Sequence, residues 1–240
     1  MKQVYGMIVL VVCFSTFYTG CQSVPEYVPK GFKLSHEQNF DSAESLEKFE
    51  FTDPQKWNWT ARGNPAGALE SAGKGNYKPP VRSPFVIALI KDLHFGDFVL
   101  EADLLQTGRE YGHRDMCLFF GFGDRSHFYY VHLATRADQN AHNIFLVNGE
   151  PRRNIAEKTT SGIDWGQQQW HRVRVVRQRD TGLIQVYFDD MSEPIMVAHD
   201  KTHGLGQIGF GSFDDQGRVD NIRVWSDEVR MVPRESFIDN

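Results

Sequence analysis

The sequence predicts an all-β sandwich of two antiparallel sheets, and three observations carry that prediction. From about residue 40 onward, apolar residues recur with period two, the spacing of strands with one buried face. Roughly ten short segments of this kind are separated by turn-forming residues, a pattern that favours a sandwich over a barrel. No segment carries a long 3.6-residue apolar repeat, and residues 41–49 allow one or two helical turns at most.

The elements follow in order. Phe98, Leu100, Ala102 and Leu104 alternate with Val99, Glu101, Asp103 and Leu105, which puts Glu101 and Asp103 on the face away from the core. Residues 116–122 form a dense apolar run, the mark of a strand buried on both faces. Residues 127–133 follow a Gly-Asp-Arg-Ser turn at 123–126, and residues 143–147 run into Asn148-Gly149, a strong turn dipeptide. Residues 171–177 and 183–189 flank Arg179-Asp180-Thr181-Gly182 as a hairpin, and residues 208–213 and 219–225 complete the set. No internal repeat is visible, so one domain is predicted over residues 37–226, with 227–240 as a C-terminal tail.

Bulk properties narrow the function. The chain has 240 residues, 40% of them hydrophobic and 18 of them Phe, enough for a large core. Its 26 basic and 31 acidic residues give a net charge of −5, which removes the basic footprint of a nucleic-acid binder. At the N-terminus, Lys2 precedes an apolar run over residues 6–17. That run is short for a membrane span, which needs ~20 residues, and suits a signal-peptide core. Tyr18-Thr19-Gly20-Cys21 then resembles a bacterial lipobox, with Tyr18 where Leu is usual. The resemblance implies a signal peptide over 1–20, lipidation of Cys21, and a tether over 21–36 containing Pro25, Pro29 and Gly31. It also implies a cell-envelope protein held to the membrane by its lipid, in the outer membrane of a Gram-negative host because Gln22 is not Asp. Cys13 leaves with the signal peptide, so Cys117 stands alone and no disulfide framework is expected. A monomer is expected.

Several segments together resemble the concanavalin A-like (laminin G-like) jelly rolls of bacterial polysaccharide metabolism, including the 3-keto-disaccharide hydrolase type and laminarinase-like domains. They are residues 96–104, 127–133, 170–175, 186–190, and Gly209-Phe210-Gly211-Ser212 with the closing strand 220–225. The resemblance implies binding or processing of an extracellular polysaccharide or oligosaccharide on the concave face. Laminarinase-type enzymes carry two carboxylates on one strand as Glu-x-Asp-x-x-Glu. Here the stretch reads Glu101-Ala102-Asp103-Leu104-Leu105-Gln106, and an amide at Gln106 cannot exchange a proton as a carboxylic acid does. That hydrolase mechanism is therefore not expected. Related jelly rolls also hold a structural calcium, which would place Asp220 and Asp41 as ligands among the six to eight oxygens calcium takes.

The candidate groove follows from strand alternation. With Val131 and Leu133 inward, Phe128, Tyr130 and His132 point outward, and an aromatic ring beside charged groups suits sugar recognition. The loop 109–115 adds Arg114 and Asp115, and His142 and Asn143 follow nearby in the chain, so the predicted ligand set is Glu101, Asp103, Arg114, Asp115, Tyr130, His132, His142 and Asn143. The alternative is an enzyme, a glycoside hydrolase or polysaccharide lyase. For a lyase, Tyr130 and His132 would be acid and base, with Arg114 neutralising a uronate carboxylate. A third class is a structural envelope protein without a ligand. Zinc is disfavoured because His113, His127, His132 and His142 show no helical His pair or Cys/His cluster. Arg172, Arg174, Arg177 and Arg179 read as protection of a strand surface rather than a grip on acidic polysaccharide.

Overall fold

The computed structural model describes residues 24–61 and 67–233, so the signal segment and Cys21 lie outside the described residues. Among the described residues, no helix is long and apolar enough to cross a membrane. Two antiparallel sheets form a sandwich. The larger has nine strands in the order β12 (Lys158–Thr159), β15 (Met196–His199), β14 (Leu183–Phe188), β13 (Trp170–Arg177), β7 (Phe98–Gln106), β17 (Gly217–Ser226), β4 (Gly67–Ser71) and β3 (Trp57–Ala61), with β1 (Lys33–Gln38) also paired to β17. The smaller has seven, in the order β11 (Arg153–Asn154), β10 (Asn143–Asn148), β9 (His127–Ala134), β8 (Asp115–Asp124), β16 (Gln207–Ser212), β5 (Val86–Ile90) and β2 (Phe49–Phe51). A two-stranded ribbon joins β6 (Leu93–Phe95) to β18 (Val229–Met231). This is the sandwich of two antiparallel sheets that the sequence pattern predicts, with the jelly-roll architecture that the resemblance implies.

Alternation decides which residues meet between the sheets. Leu100, Ala102 and Leu104 of β7 face Leu118 and Phe120 of β8 and Tyr129, Val131 and Leu133 of β9 in one buried cluster. Each buried aliphatic or aromatic side chain of this kind contributes roughly 1.5–3 kcal/mol relative to exposure. The Gly-Phe-Gly-Ser stretch sits in β16, where Phe210 enters that core. A Cβ at Gly211 would strike the Val86 carbonyl of the adjacent β5, so close strand approach, not turn formation, requires glycine there.

The smaller sheet is buried on its outer face as well. Cys117, Phe119, Phe122, Phe128, Tyr130 and Phe145 form a second apolar cluster there, with Tyr77 and Val81 packed on it from the connection between β4 and β5. The dense run 116–122 thus supplies both layers. Met116, Leu118 and Phe120 go inward and Cys117 and Phe119 outward. An irregularity after Phe120, with Gly121 at φ 56°, then leaves Phe122 on the outer layer.

The chain ends differ from their sequence reading. The segment expected as a tether is packed onto the larger sheet from Val28 onward. Val28 is buried with Val99 and Trp225, Phe32 packs beside them, and β1 already begins at Lys33. Pro and Gly content suggested free chain, but the apolar residues between them had a sheet face to cover. The start of the expected tail is also held, because Arg179 joins Asp97 at 2.7 Å and Asp227 at 3.1 Å.

Candidate functional site

A pocket of about 340 Å³ opens where the outer face of the smaller sheet meets its end loops. That volume lies at the small end of the range for ligand sites. Its floor is built by strands and its walls by loops. Asp115 begins β8, and His132, paired with Cys117 near the end of β9, lies diagonally from it. The loop before β8 adds Arg109, Tyr111 and His113, while Arg82, Asn140 and Arg152 come from three other connections and Phe213 and Asp214 from the turn after β16.

The floor is an ordered hydrogen-bond network. Asp115 accepts from the Ser212 hydroxyl at 2.9 Å, the Phe213 amide at 2.9 Å and the Cys117 thiol at 3.2 Å. His132 Nε2 lies 3.2 Å from the same carboxylate. The His142 amide donates to His132 Nδ1 at 3.2 Å, which assigns the ring proton to Nε2 and directs it at Asp115. Burial works to raise the Asp115 pKa, but His132, the Phe213 amide and the Cys117 thiol outweigh it and hold the carboxyl below its usual range. Asp215 behaves in the opposite way. Burial and the neighbouring Asp115 charge push it up to about 7, although Tyr111 donates to it at 2.7 Å and the Asp115 amide at 2.9 Å.

One wall is a clamped cation. The Arg152 guanidinium lies between Phe145 and Phe213, 4.6 and 4.5 Å from their ring centroids. It donates to Tyr130 Oη at 2.6 Å and to the Asn140 carbonyl at 2.8 Å. Stacking on aromatic faces in a part-buried setting contributes roughly 1–2 kcal/mol and fixes the planar fork.

The structure separates the predicted ligand residues. Asp115 and His132 line the pocket, and Tyr130 lies beneath it as an acceptor for Arg152. His142 is fully buried, positions His132 through its amide, and bonds Thr160 at 2.9 Å. Asn143 holds the Ala156 amide at 3.1 Å. Arg114, the residue before β8, turns to other partners. Its nitrogens donate to the Gln106 side chain at 3.0 Å, the Gln106 carbonyl at 2.9 Å and the Gly166 carbonyl at 2.9 Å. The lyase arrangement of Tyr130, His132 and Arg114 is therefore not assembled.

Glu101 and Asp103 do not share this pocket at all. They do face outward from the core, but on the larger sheet, so the thickness of the sandwich lies between them and His132. Alternation gives inward or outward, and two sheets have two outward faces. Glu101 is paired with Arg174 at 2.6 Å, both nearly buried, with Tyr27 from the N-terminal segment stacked 3.5 Å over the guanidinium. Asp103 accepts from Asn221 at 2.7 Å and lies 3.8 Å from Arg172. Gln106 is buried as well, donating to the Asp115 carbonyl at 3.0 Å.

The residues expected to hold calcium lie apart from the clustered donors. Asp220 is buried and accepts from the Asn221 amide at 2.7 Å, while Asp41 is exposed and bonded to Asn39 at 2.8 Å. Among the described residues, the sets of three donors within 4.8 Å are Asp115 with Asp214 and Asp215, and Asp115 with Cys117 and His132. Neither set includes Asp41 or Asp220. The three-carboxylate set has the oxygen chemistry of a hard cation. It falls short of the six to eight oxygens calcium takes, and Asp115 already accepts several hydrogen bonds. The other histidines are dispersed, with His113 on Asp138 at 2.6 Å and His127 on Asp124 at 2.8 Å.

Sequence reasoning missed Arg82, Arg109, Arg152, Asn140 and Phe213. Arg109 belongs to the same loop 109–115 as Asp115, so its place at the pocket was within reach of the sequence. Arg82 and Arg152 come from loops far apart in the chain, and nothing in the sequence joins them.

Comparison with known proteins places the architecture. No family model and no curated protein matches the sequence. Among solved structures, the carbohydrate-binding module CBM66 from Bacillus subtilis aligns with a TM-score of 0.52 at 18% identity, over 75% of this chain and 96% of that one. Peanut lectin aligns with a TM-score of 0.51 at 12% identity, over 81% and 97%. Domain 4 of a GH43 extracellular arabinanase from Geobacillus stearothermophilus, solved with arabinotriose, aligns with a TM-score of 0.50 at 9% identity, over 88% and 98%. The class defined is a lectin-like jelly roll of the concanavalin A type, and at these identities the likeness is one of fold.

Proposed function

We propose that this chain is a glycan-binding protein of the bacterial cell envelope and that its ligand enters the pocket over Asp115 and His132. The observation that carries the reading is the pocket's combination of an ordered polar floor, a clamped guanidinium and an aromatic edge at Phe213. Hydroxyl-rich ligands need donors and acceptors held in fixed directions beside an apolar surface. Carbohydrate-binding modules and lectins among the solved structures support a sugar as ligand.

A hydrolase is the competing reading, favoured by two carboxyls with oxygens within 4.8 Å of each other, Asp115 held below its usual range and Asp215 raised to about 7. Separating the pKa values of two carboxyls is how acid and base roles are divided. Against it, Asp115 is only 1% exposed and directs its oxygens at protein donors, so it does not face the pocket as a nucleophile. Lipidation of Cys21 and an outer-membrane location remain part of the proposal. Because the chain docks on the larger sheet from about Tyr27, such an anchor would turn that sheet to the membrane and the pocket away from it.

The test is a glycan array on the purified chain from Gln22 onward, with a reducing-sugar assay on every glycan bound. Binding without release is expected. Sugar release would replace the binding reading with the hydrolase, and an empty array would remove both.

A further inference from the structure

Six arginines outside the pocket are matched with acids. Arg172, Arg174, Arg179, Arg218, Arg223 and Arg230 each meet a carboxylate within 3.8 Å. Arg177 is buried and gives its donors to the carbonyls of Gly182, Asp200 and His203. The pocket gathers three arginines without such a match among the described residues. Arg82 and Arg109 are exposed at its edge, Arg109 lies 5.2 Å over the Tyr111 ring, and neither has a carboxylate partner among the described residues. Arg152 is half-buried, and its described acceptors are the neutral Tyr130 hydroxyl and Asn140 carbonyl. A guanidinium has five N–H donors, so these two bonds leave Arg152 the larger part of its fork.

The acids nearby do not cancel the cations. Asp115 is directed into the floor by Ser212, the Phe213 amide and His132. His113 at the rim is occupied by Asp138. Asp214 is exposed at the edge, suited to accept from a hydroxyl.

We infer that the pocket selects an anionic sugar residue, with a carboxylate or sulfate group seated among Arg82, Arg109 and Arg152. The inference rests on the pocket being a glycan site and names the ligand class of that site. Arginine suits either anion because its planar fork forms paired charge-assisted hydrogen bonds with oxyanions. Arg152 is the positioning element, held flat by two rings before a ligand arrives. Arg82 and Arg109 are the exposed arms that close on the anion.

Titration calorimetry tests this with three probes of equal length: a galacturonate oligosaccharide, a sulfated galactan oligosaccharide and a neutral galactan oligosaccharide, each at low and high sodium chloride. At least one anionic probe is expected to bind about tenfold or more tightly than the neutral one, with the advantage shrinking as salt rises. The two anionic arms separate carboxylate from sulfate. An Arg82→Ala/Arg109→Ala variant, altered only at exposed positions and checked by thermal melting, is expected to lose that advantage. Equal affinity for all three probes overturns the anionic assignment and leaves the glycan reading standing. So does an advantage that survives the double variant, whereas no binding of any probe overturns both.

Discussion

Asp115 and Asp215 place carboxylate oxygens within 4.8 Å of each other, yet their environments move them in opposite directions. The difference lies in donors. Asp115 collects a hydroxyl, an amide, a thiol and an imidazole, while Asp215 has a phenol and one amide and feels the Asp115 charge. Asp215, raised to about 7 from 3.8, holds a native-state proton that the unfolded chain has released across that window. Its contribution to stability is therefore complete below pH 4 and lost as pH rises through 7. Asp215→Asn is expected to melt progressively higher than the wild type as pH goes from acid to alkaline, and a melting gap independent of pH would refute the account of this residue. His142 has the other sign. Burial and His132 lower it from 6.5 to about 4, so its contribution is lost as pH falls through that interval. At this scale the sequence was partly legible. His132 was identifiable as an outward polar residue from strand alternation and Asp115 as a polar group of the adjoining loop, but the roles of His142 and Arg114 depend on which neighbour each donor reaches.

At the scale of elements, β7 shows both what period two reveals and where it stops. Alternation correctly put Leu100, Ala102 and Leu104 in the core and Glu101 and Asp103 outside it. It said nothing about which of two outer faces they occupy, and that information determined the site. Short strands such as β2, β6, β11 and β12, two or three residues long, carry too few alternations to read. The Glu101–Arg174 pair has side chains only 7% and 9% exposed. Glu101→Ala is expected to cost about 3 kcal/mol, the usual result of leaving one buried charge unpaired, read as a shifted urea midpoint. Replacing both partners, as Glu101→Ala/Arg174→Met, should recover much of that loss. Gly211→Val, forced against the β5 backbone, is expected to prevent folding, so a soluble and normally melting variant would show the strand spacing to be wrong.

For the whole molecule, the two outer faces have different work. The larger sheet's outer face is covered in part by the chain around Val28 and otherwise carries ion pairs, such as Arg223 with Glu37 at 2.9 Å. The smaller sheet's outer face is filled by aromatics and opens into the pocket at its end. The fold class was legible because many strands shared one periodicity, whereas the pocket was not, because its walls come from loops brought together only by the jelly-roll crossovers. The most direct measurement compares glycan-array profiles of three proteins: the wild type, Arg109→Ala/Asn140→Ala in the pocket, and Arg172→Ser on the opposite face. The account predicts that the pocket variant loses the wild-type signal while Arg172→Ser keeps it. A signal that persists in the pocket variant and disappears in Arg172→Ser would contradict it and move the site to the other sheet.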